Sequence, residues 1–502
     1  MRGDAILRLR RYRICSTLLV FSLSYWLLER VLHAASFSRT RSLKLSLNAW
    51  VTDFHAGPIG CQLSMFEEIG LNVTAKIDFP NCRFFKDSVG GDVCAEHNGL
   101  KVLALDNWRG FSLDQSNPIQ TRKDFYRAYI LDPEFQSMDI VFCSHPAANC
   151  ELYLPFDKNI VIYNTQRIEF GRGDDYVWWR QPYLGNVSAR WLHWSQNLQA
   201  ISRSANNLIA ANNMFDVKHM EYLTGVNVTY IPSWCGENIQ SIKNQHYRPI
   251  RREIVLTPYR LNLEFYPEDI PKSGWPSVGN RKIARPLDHP LFDSLRREYP
   301  KFPLIDMSTA FSGGHFESVN DFRQFRAVLL IPYQASTMFF FQLYRTSVPI
   351  LAPSQRLLHS WIRDFRVLWE VSYGNPPRVP GADMSSTPPN PNSFLADDRA
   401  EWFDFYDVYN NDTFPHILYF DSWASAVEIL NHADLQAVSD HMRSHNIREY
   451  SRIRKLWEKH LLRISESKQK MRVKHSYSSS NDLQDVLASN SYPLMPESIN
   501  SL

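Results

Sequence analysis

The run Tyr333-Gln334-Ala335-Ser336-Thr337 carries residue types that can hold an anion beside neutral hydroxyls. It follows a short apolar run at 327–331 and precedes 338–344, whose pattern predicts a helix. Ser336 or Thr337 caps that helix, because a hydroxyl accepts one of the orphan backbone N–H groups. The remaining N–H groups and the helix dipole favour a phosphate at this end. The amides of Gln334 and Gln342 donate and accept, so they suit ligand hydroxyls. A second group sits in the loop at 52–60. His55 is the candidate general base there, with Asp53 to orient it, since an imidazole exchanges a proton near neutral pH. The plainer alternative takes Thr52 and Asp53 as loop caps and His55 as a structural hydrogen-bonder. His145, in Cys143-Ser144-His145-Pro146, is the second candidate base. No D-x-D triplet, C-x-x-C or zinc-type Cys/His spacing occurs. The expected chemistry therefore uses no metal and no resident cofactor.

These groups need elements to position them. The stretch 326–361 reads as strand (327–331), helix (338–344), strand (348–351) and a further helix opened by Pro353-Ser354. Parallel strands joined by one short helix mean an α/β layer fold, in which ligands sit outside the carboxyl ends of the strands. The first half repeats this pattern: strand 45–51, loop 52–60, helix 61–69 and strand 72–77. Further strands are expected at 100–105, 140–143, 160–163, 207–211 and 228–231, with a helix at 216–223. Residues 236–252 are polar and aperiodic and read as a linker. The second half restarts with strand 254–256, helix 292–298, strand 303–306 and helix 318–325. Residues 374–391 read as an inserted loop, followed by helices 422–430, 434–444 and 447–462. The expected fold class is α/β, with two doubly wound Rossmann-like domains at 45–235 and 253–445.

The second half also carries a resemblance. Gln334 and Gln342 are eight positions apart, and Gln342 lies seven before Pro349, which starts the next strand. This spacing resembles the donor-binding segment of two-domain (GT-B) glycosyltransferases, with Gln in place of both Glu. Tyr259-Arg260-Leu261 is similar to the Gly-Arg-Leu that ends the first strand of such donor domains, without its Gly or the Lys that follows. The resemblance implies that Arg260 holds the diphosphate of a nucleotide-sugar, and an arginine's planar fork suits that task. It implies that Tyr333, Gln334, Ser336, Thr337 and Gln342 line the donor site, that the loop at 52–60 faces the acceptor, and that a last helix, 446–463, crosses back to the first domain. The nucleotide-sugar would be a co-substrate, and the acceptor a glycan, glycoprotein or glycolipid. The alternative is an inactive GT-B-like ectodomain that binds a glycan or partner. A periplasmic-binding-like two-domain ectodomain is the other class.

Net charge is only +3, which gives no argument for nucleic acid. Residues 1–13 are basic, with Arg2, Arg8, Arg10, Arg11 and Arg13, and 14–32 are mainly apolar. At 1.5 Å per residue that run spans about 28 Å, close to a bilayer's hydrocarbon core. It reads as a signal anchor with a cytosolic tail (1–13), a stem (33–44) and a luminal body, hence a single-pass type II protein of the Golgi or endoplasmic reticulum. Cleavage near His33-Ala34-Ala35 is the alternative. Four sequons, at Asn72, Asn186, Asn227 and Asn411, and six cysteines beyond Cys15 fit a luminal body. Cys82–Cys94 and Cys143–Cys150 are the expected local pairings. Trp178, Trp179, Trp191 and Trp194 crowd one segment, either stacking on sugar rings or, more simply, filling a core. Residues 465–502 are Ser- and Asn-rich and read as disordered.

Overall fold

The computed structural model describes residues 45, 47–53, 56–77, 118–144, 147–165, 168, 187–235, 239–244, 246–257, 286–311, 316, 318–365, 367–368, 378–379, 382, 387–391, 393 and 395–475. Ser46–Leu502 form one compact unit built on two parallel sheets.

The first sheet contains β1 (Leu47–Asp53), β2 (Leu71–Ile77), β3 (Ile140–Cys143), β4 (Asn159–Asn164), β5 (Leu208–Ala211) and β6 (Thr229–Tyr230). Its order is β2-β1-β3-β4-β5-β6, all parallel. Every residue of β3 and β5 is buried, as expected of a sheet covered on both faces. The second sheet contains β7 (Ile254–Leu256), β8 (Leu304–Ile305), β9 (Ala327–Leu329), β10 (Ile350–Pro353) and β11 (Leu418–Phe420), in the order β11-β10-β9-β7-β8. In both sheets the first strand lies between the second and the third, so the winding reverses beside it. That reversal opens a crevice at the carboxyl ends, between β1 and β3 in lobe 1 and between β7 and β9 in lobe 2.

Helices cover these sheets: α1 (Ala56–Ile69), α2 (Pro118–Tyr129), α3 (Val187–Arg203), α4 (Met214–Thr224), α5 (Ile239–Asn244), α6 (Asp293–Glu298), α7 (Met338–Arg345), α8 (Gln355–Phe365), α9 (Trp423–His432) and α10 (Leu435–His475). Several differ from expectation. α1 begins at Ala56 and so absorbs most of the loop expected at 52–60. Pro58 falls in its first turn, where the missing N–H had no helical partner. The stretch 318–325 forms a 3-10 segment, Val319–Gln324, and the expected linker at 236–252 contains α5.

The largest difference is α10. The two helices expected at 434–444 and 447–462 are one helix of 41 residues, about 60 Å long. It starts on lobe 2, where Asn446 Nδ2 donates to Tyr344 O at 3.1 Å and to Ser347 Oγ at 3.0 Å. Ser347 adopts φ 59, a conformation that costs an L-residue about 1–2 kcal/mol, and these bonds hold it there. The helix then reaches lobe 1. Trp457 packs on Phe66, Phe142 and Tyr163, with ring centres 5.1, 6.1 and 5.2 Å away. Lys468 Nζ pairs with Asp139 at 2.6 Å, and Asn206 Nδ2 donates to Ser467 Oγ at 2.8 Å.

Among the described residues two disulfides tie lobe 1 together. Cys143–Cys150 is local, as expected, whereas Cys61–Cys235 spans 174 residues and joins α1 to the end of the lobe. Trp191 and Trp194 are fully buried, and Trp194 Nε1 donates to Ile168 O at 3.2 Å, so these two are core residues. The expected membrane segment 14–32 and expected strand 100–105, Cys82, Cys94, Trp178, Trp179 and residues 476–502 lie outside the described residues, whereas 465–475, expected to be disordered, belong to α10. Among the described residues no helix is long and apolar enough to cross a membrane.

Candidate functional site

The crevice of lobe 2 opens where β7 and β9 end side by side. Thr257 N–H donates to Leu329 O at 2.9 Å, which extends the pairing one residue past β7. From β9 the chain runs through buried Leu330 and Ile331 into the Tyr333–Thr337 loop. Thr337 is the N-cap of α7: its φ and ψ are −125° and 129°, and its Oγ1 accepts from Phe340 N–H at 3.3 Å. Phe340, Phe341, Leu343 and Tyr344 are buried, and Phe340 meets Phe414 at 4.9 Å. That packing fixes the direction in which the amino end of α7 points. Ser336 Oγ donates to Asp407 Oδ2 at 3.0 Å. Tyr333 and Gln334 are partly buried in the loop, and Gln342 is partly buried further along α7.

Among the described residues, Thr257 Oγ1 after β7 and Gln334 Oε1 after β9 meet no hydrogen-bond partner at this crevice. Thr257 is only 1% exposed. Arg260, three residues beyond Thr257, lies outside the described residues. The segments leading to Arg260 and Gln334 therefore start from neighbouring strand ends.

The crevice of lobe 1 has matching geometry. Thr52 lies opposite Cys143 in the register of β1 and β3, and Ser144 N–H donates to Thr52 O at 3.3 Å. Asp53 ends β1, paired with Ile77 of β2. His55 and His145 follow these two strand ends and are outside the described residues.

The lobes meet along their carboxyl edges. Asn212 follows β5, and its Nδ2 donates to Ser233 Oγ at 3.1 Å while lying 3.2 Å from Met338 Sδ, at the first residue of α7. Tyr163 OH donates to Ile231 O at 2.8 Å and lies 3.2 Å from Ser233 Oγ. Burial holds the Tyr163 and Tyr230 phenols well above their ordinary range, and the charge of Asp407 pushes both further up. Asp407 of lobe 2, 1% exposed, thus sits within electrostatic reach of two lobe 1 tyrosines. The arrangement presents un-ionised hydroxyls, amides and one buried carboxylate beside a helix amino end.

Asp407, Asn212, Asn164 and Thr257 were not among the residues picked from sequence. Asp407 carried a signal only as part of Asp404-Phe405-Tyr406-Asp407, whose spacing does not match a metal motif. Asn212 and Thr257 lie just beyond the ends of β5 and β7, and Asn164 is the last residue of β4. Of the sequons, Asn72, Asn227 and Asn411 are exposed, and Asn186 lies outside the described residues. Among the described residues no group of three His, Cys, Asp or Glu side chains could hold a metal.

No protein-family model matches this chain, and no curated protein matches it significantly.

Proposed function

We propose that the protein is a glycosyltransferase of the GT-B architecture. It moves a sugar from a nucleotide-diphosphate donor to a glycoprotein or glycolipid in the secretory pathway, without a metal. One observation carries this reading: the amino end of α7 abuts the carboxyl edge of the other sheet, with Met338 Sδ 3.2 Å from Asn212 Nδ2. Two open parallel sheets that meet in this way enclose a cleft suited to two substrates, a donor on one lobe and an acceptor on the other. The return of α10 to lobe 1 supports the same reading.

In this account the donor diphosphate rests against Arg260 and the amino end of α7. Backbone N–H groups, the helix dipole and the guanidinium stabilise charge on the leaving group. Gln334 and Gln342 hold ribose or sugar hydroxyls, and Tyr333, Ser336 and Thr337 shape the loop. His55, oriented by Asp53, takes the proton of the acceptor hydroxyl. The N-terminal anchor places the body in the Golgi or endoplasmic reticulum lumen as a type II protein.

Gln334 and Gln342, where the resembled segment has two acids, also favour a second reading: a lobe pair that binds glycans without turnover. A hydrolysis screen of the purified full-length protein against nucleotide-diphosphate sugars separates the two. Release of sugar from one donor, undiminished by a chelator, is the expected result. Absence of turnover with every donor would leave only the binding module.

A further inference from the structure

Two buried amides at the carboxyl edge of lobe 1 keep polar atoms that no other described residue meets. Asn164, the last residue of β4, is 0% exposed, and neither its Oδ1 nor its Nδ2 has a hydrogen-bond partner. Asn149, in the 3-10 segment Ala147–Tyr153, is 4% exposed, and its Oδ1 is also unmet. Buried polar groups are nearly always paired, with protein or with ordered water, so an unpaired set marks a place that takes a water or a ligand.

The fold brings together the segments that carry these amides. β3 ends at Cys143, and its disulfide to Cys150 folds the segment carrying Asn149 back over that end. Cys143 pairs with Ile162 of β4, two residues before Asn164. The 3-10 segment packs against both strands. Asn164 O accepts from Asn212 N–H at 3.0 Å, and the Asn212 side chain reaches Met338 of lobe 2. The pair therefore lies beside the junction of the lobes. Both amides are covered in this state, so a ligand would reach them only in a more open one.

The chemistry narrows the ligand. The unmet atoms are two carbonyl-type oxygens and one NH2 group, all uncharged. The carbonyl oxygens would repel a phosphate or carboxylate. A hydroxyl both donates and accepts, so it can meet either kind of atom. We propose that Asn149 and Asn164 form a subsite for a neutral, hydroxyl-bearing sugar, the acceptor side of the transfer, and that Asn164 selects its hydroxyl pattern. This rests on the glycosyltransferase reading above.

The test uses full-length protein and methyl glycosides of glucose, galactose, mannose and N-acetylglucosamine, with binding followed by saturation-transfer NMR. The expected result is millimolar binding of at least one glycoside. Asn164→Leu should weaken it by about tenfold or more and erase discrimination against the matching deoxy-glycoside. Asn149→Ser, the milder change, should weaken it in the same direction and covers the case in which Asn164→Leu does not fold. Equal affinity and equal discrimination in a folded variant would overturn the proposal, as would wild-type protein that binds none of the four or only a uronic acid glycoside. The donor screen is independent: glycoside binding that depends on Asn164 without donor turnover would keep the subsite and remove the transferase.

Discussion

The guanidinium of Arg345 lies 4.6 Å from the ring centre of Trp234, a contact between lobe 2 and the end of lobe 1. Arg345 is 2% exposed, and its Nη1 donates to Asn446 Oδ1 of α10 at 2.8 Å. One side chain thus joins both lobes and the helix that spans them. Burial pulls its pKa down, while Glu449 nearby opposes that shift. Arg345→Ala removes the ring contact and leaves Asn446 Oδ1 without its donor. It should reduce stability by about 2–5 kcal/mol, read as a lower midpoint in thermal unfolding. Arg345→Met should lose less, because its stem still packs on Trp234. An unchanged midpoint in Arg345→Ala would show that the junction does not depend on this contact.

Acid should weaken the fold. Burial lowers the pKa of His445, with the Arg345 and Arg448 charges adding to it and the bond to Thr413 O and the nearby Glu449 opposing it. His289, His416 and His460 are lowered by burial too. An unfolded histidine takes a proton near pH 6.5, whereas these take theirs at lower pH. Stability is therefore complete above that value and declines as pH falls through it towards the folded pKa values. Unfolding midpoints at neutral and mildly acidic pH should differ in this direction. His445→Gln, whose amide can still donate to Thr413 O, should flatten the dependence. A midpoint that rises on acidification would contradict the account.

The Cys61–Cys235 disulfide closes a loop across 174 residues. Chain entropy puts its stabilisation at about 5 kcal/mol, and native-state strain usually trims that figure. The double variant Cys61→Ala/Cys235→Ala should therefore unfold at clearly lower denaturant than the parent. Coincident unfolding curves would mean that the bond constrains little.

Ser336 and Asp407 give a test with opposite signs. A carboxylate beside the amino end of α7 opposes a bound phosphate, and the Ser336 hydroxyl occupies one of its oxygens. Asp407→Asn should tighten nucleotide-diphosphate binding by about 3–10-fold at low salt, with the gain shrinking as salt rises. Ser336→Ala should weaken it. Titration calorimetry reads both, and equal affinities would place the phosphate elsewhere.

Much of the scaffold is legible in the residues themselves. β3, β4 and β5 are apolar runs bounded by polar turns, and the period-2 and continuous-apolar signals find them within a residue or two. β11 has only three residues, Leu418–Phe420, between Pro415-His416 and Asp421-Ser422, and no strand is expected there. α10 looked like two helices because Ser444, His445 and Asn446 favour caps. No Gly or Pro interrupts it, and Asn446 spends its amide on Arg345, Tyr344 and Ser347 rather than on a cap. The site is less legible for a related reason. Thr257, Gln334 and Asn164 matter because their polar atoms are buried without partners, and that depends on what packs around them. Cys61 and Cys235 could not be paired from spacing, since only the folded lobe brings them together.

The central claim is that the crevice between β7 and β9 takes a nucleotide diphosphate, and Thr257 tests it most directly. Its buried hydroxyl has no partner among the described residues. Thr257→Val keeps the shape and removes that hydroxyl, so the unliganded fold should be as stable as the parent or more so. Calorimetric titration with uridine and guanosine diphosphates should show that the parent binds at least one and that Thr257→Val binds it about tenfold more weakly. Equal affinity in parent and variant, or no binding of either nucleotide by the parent, would contradict the account.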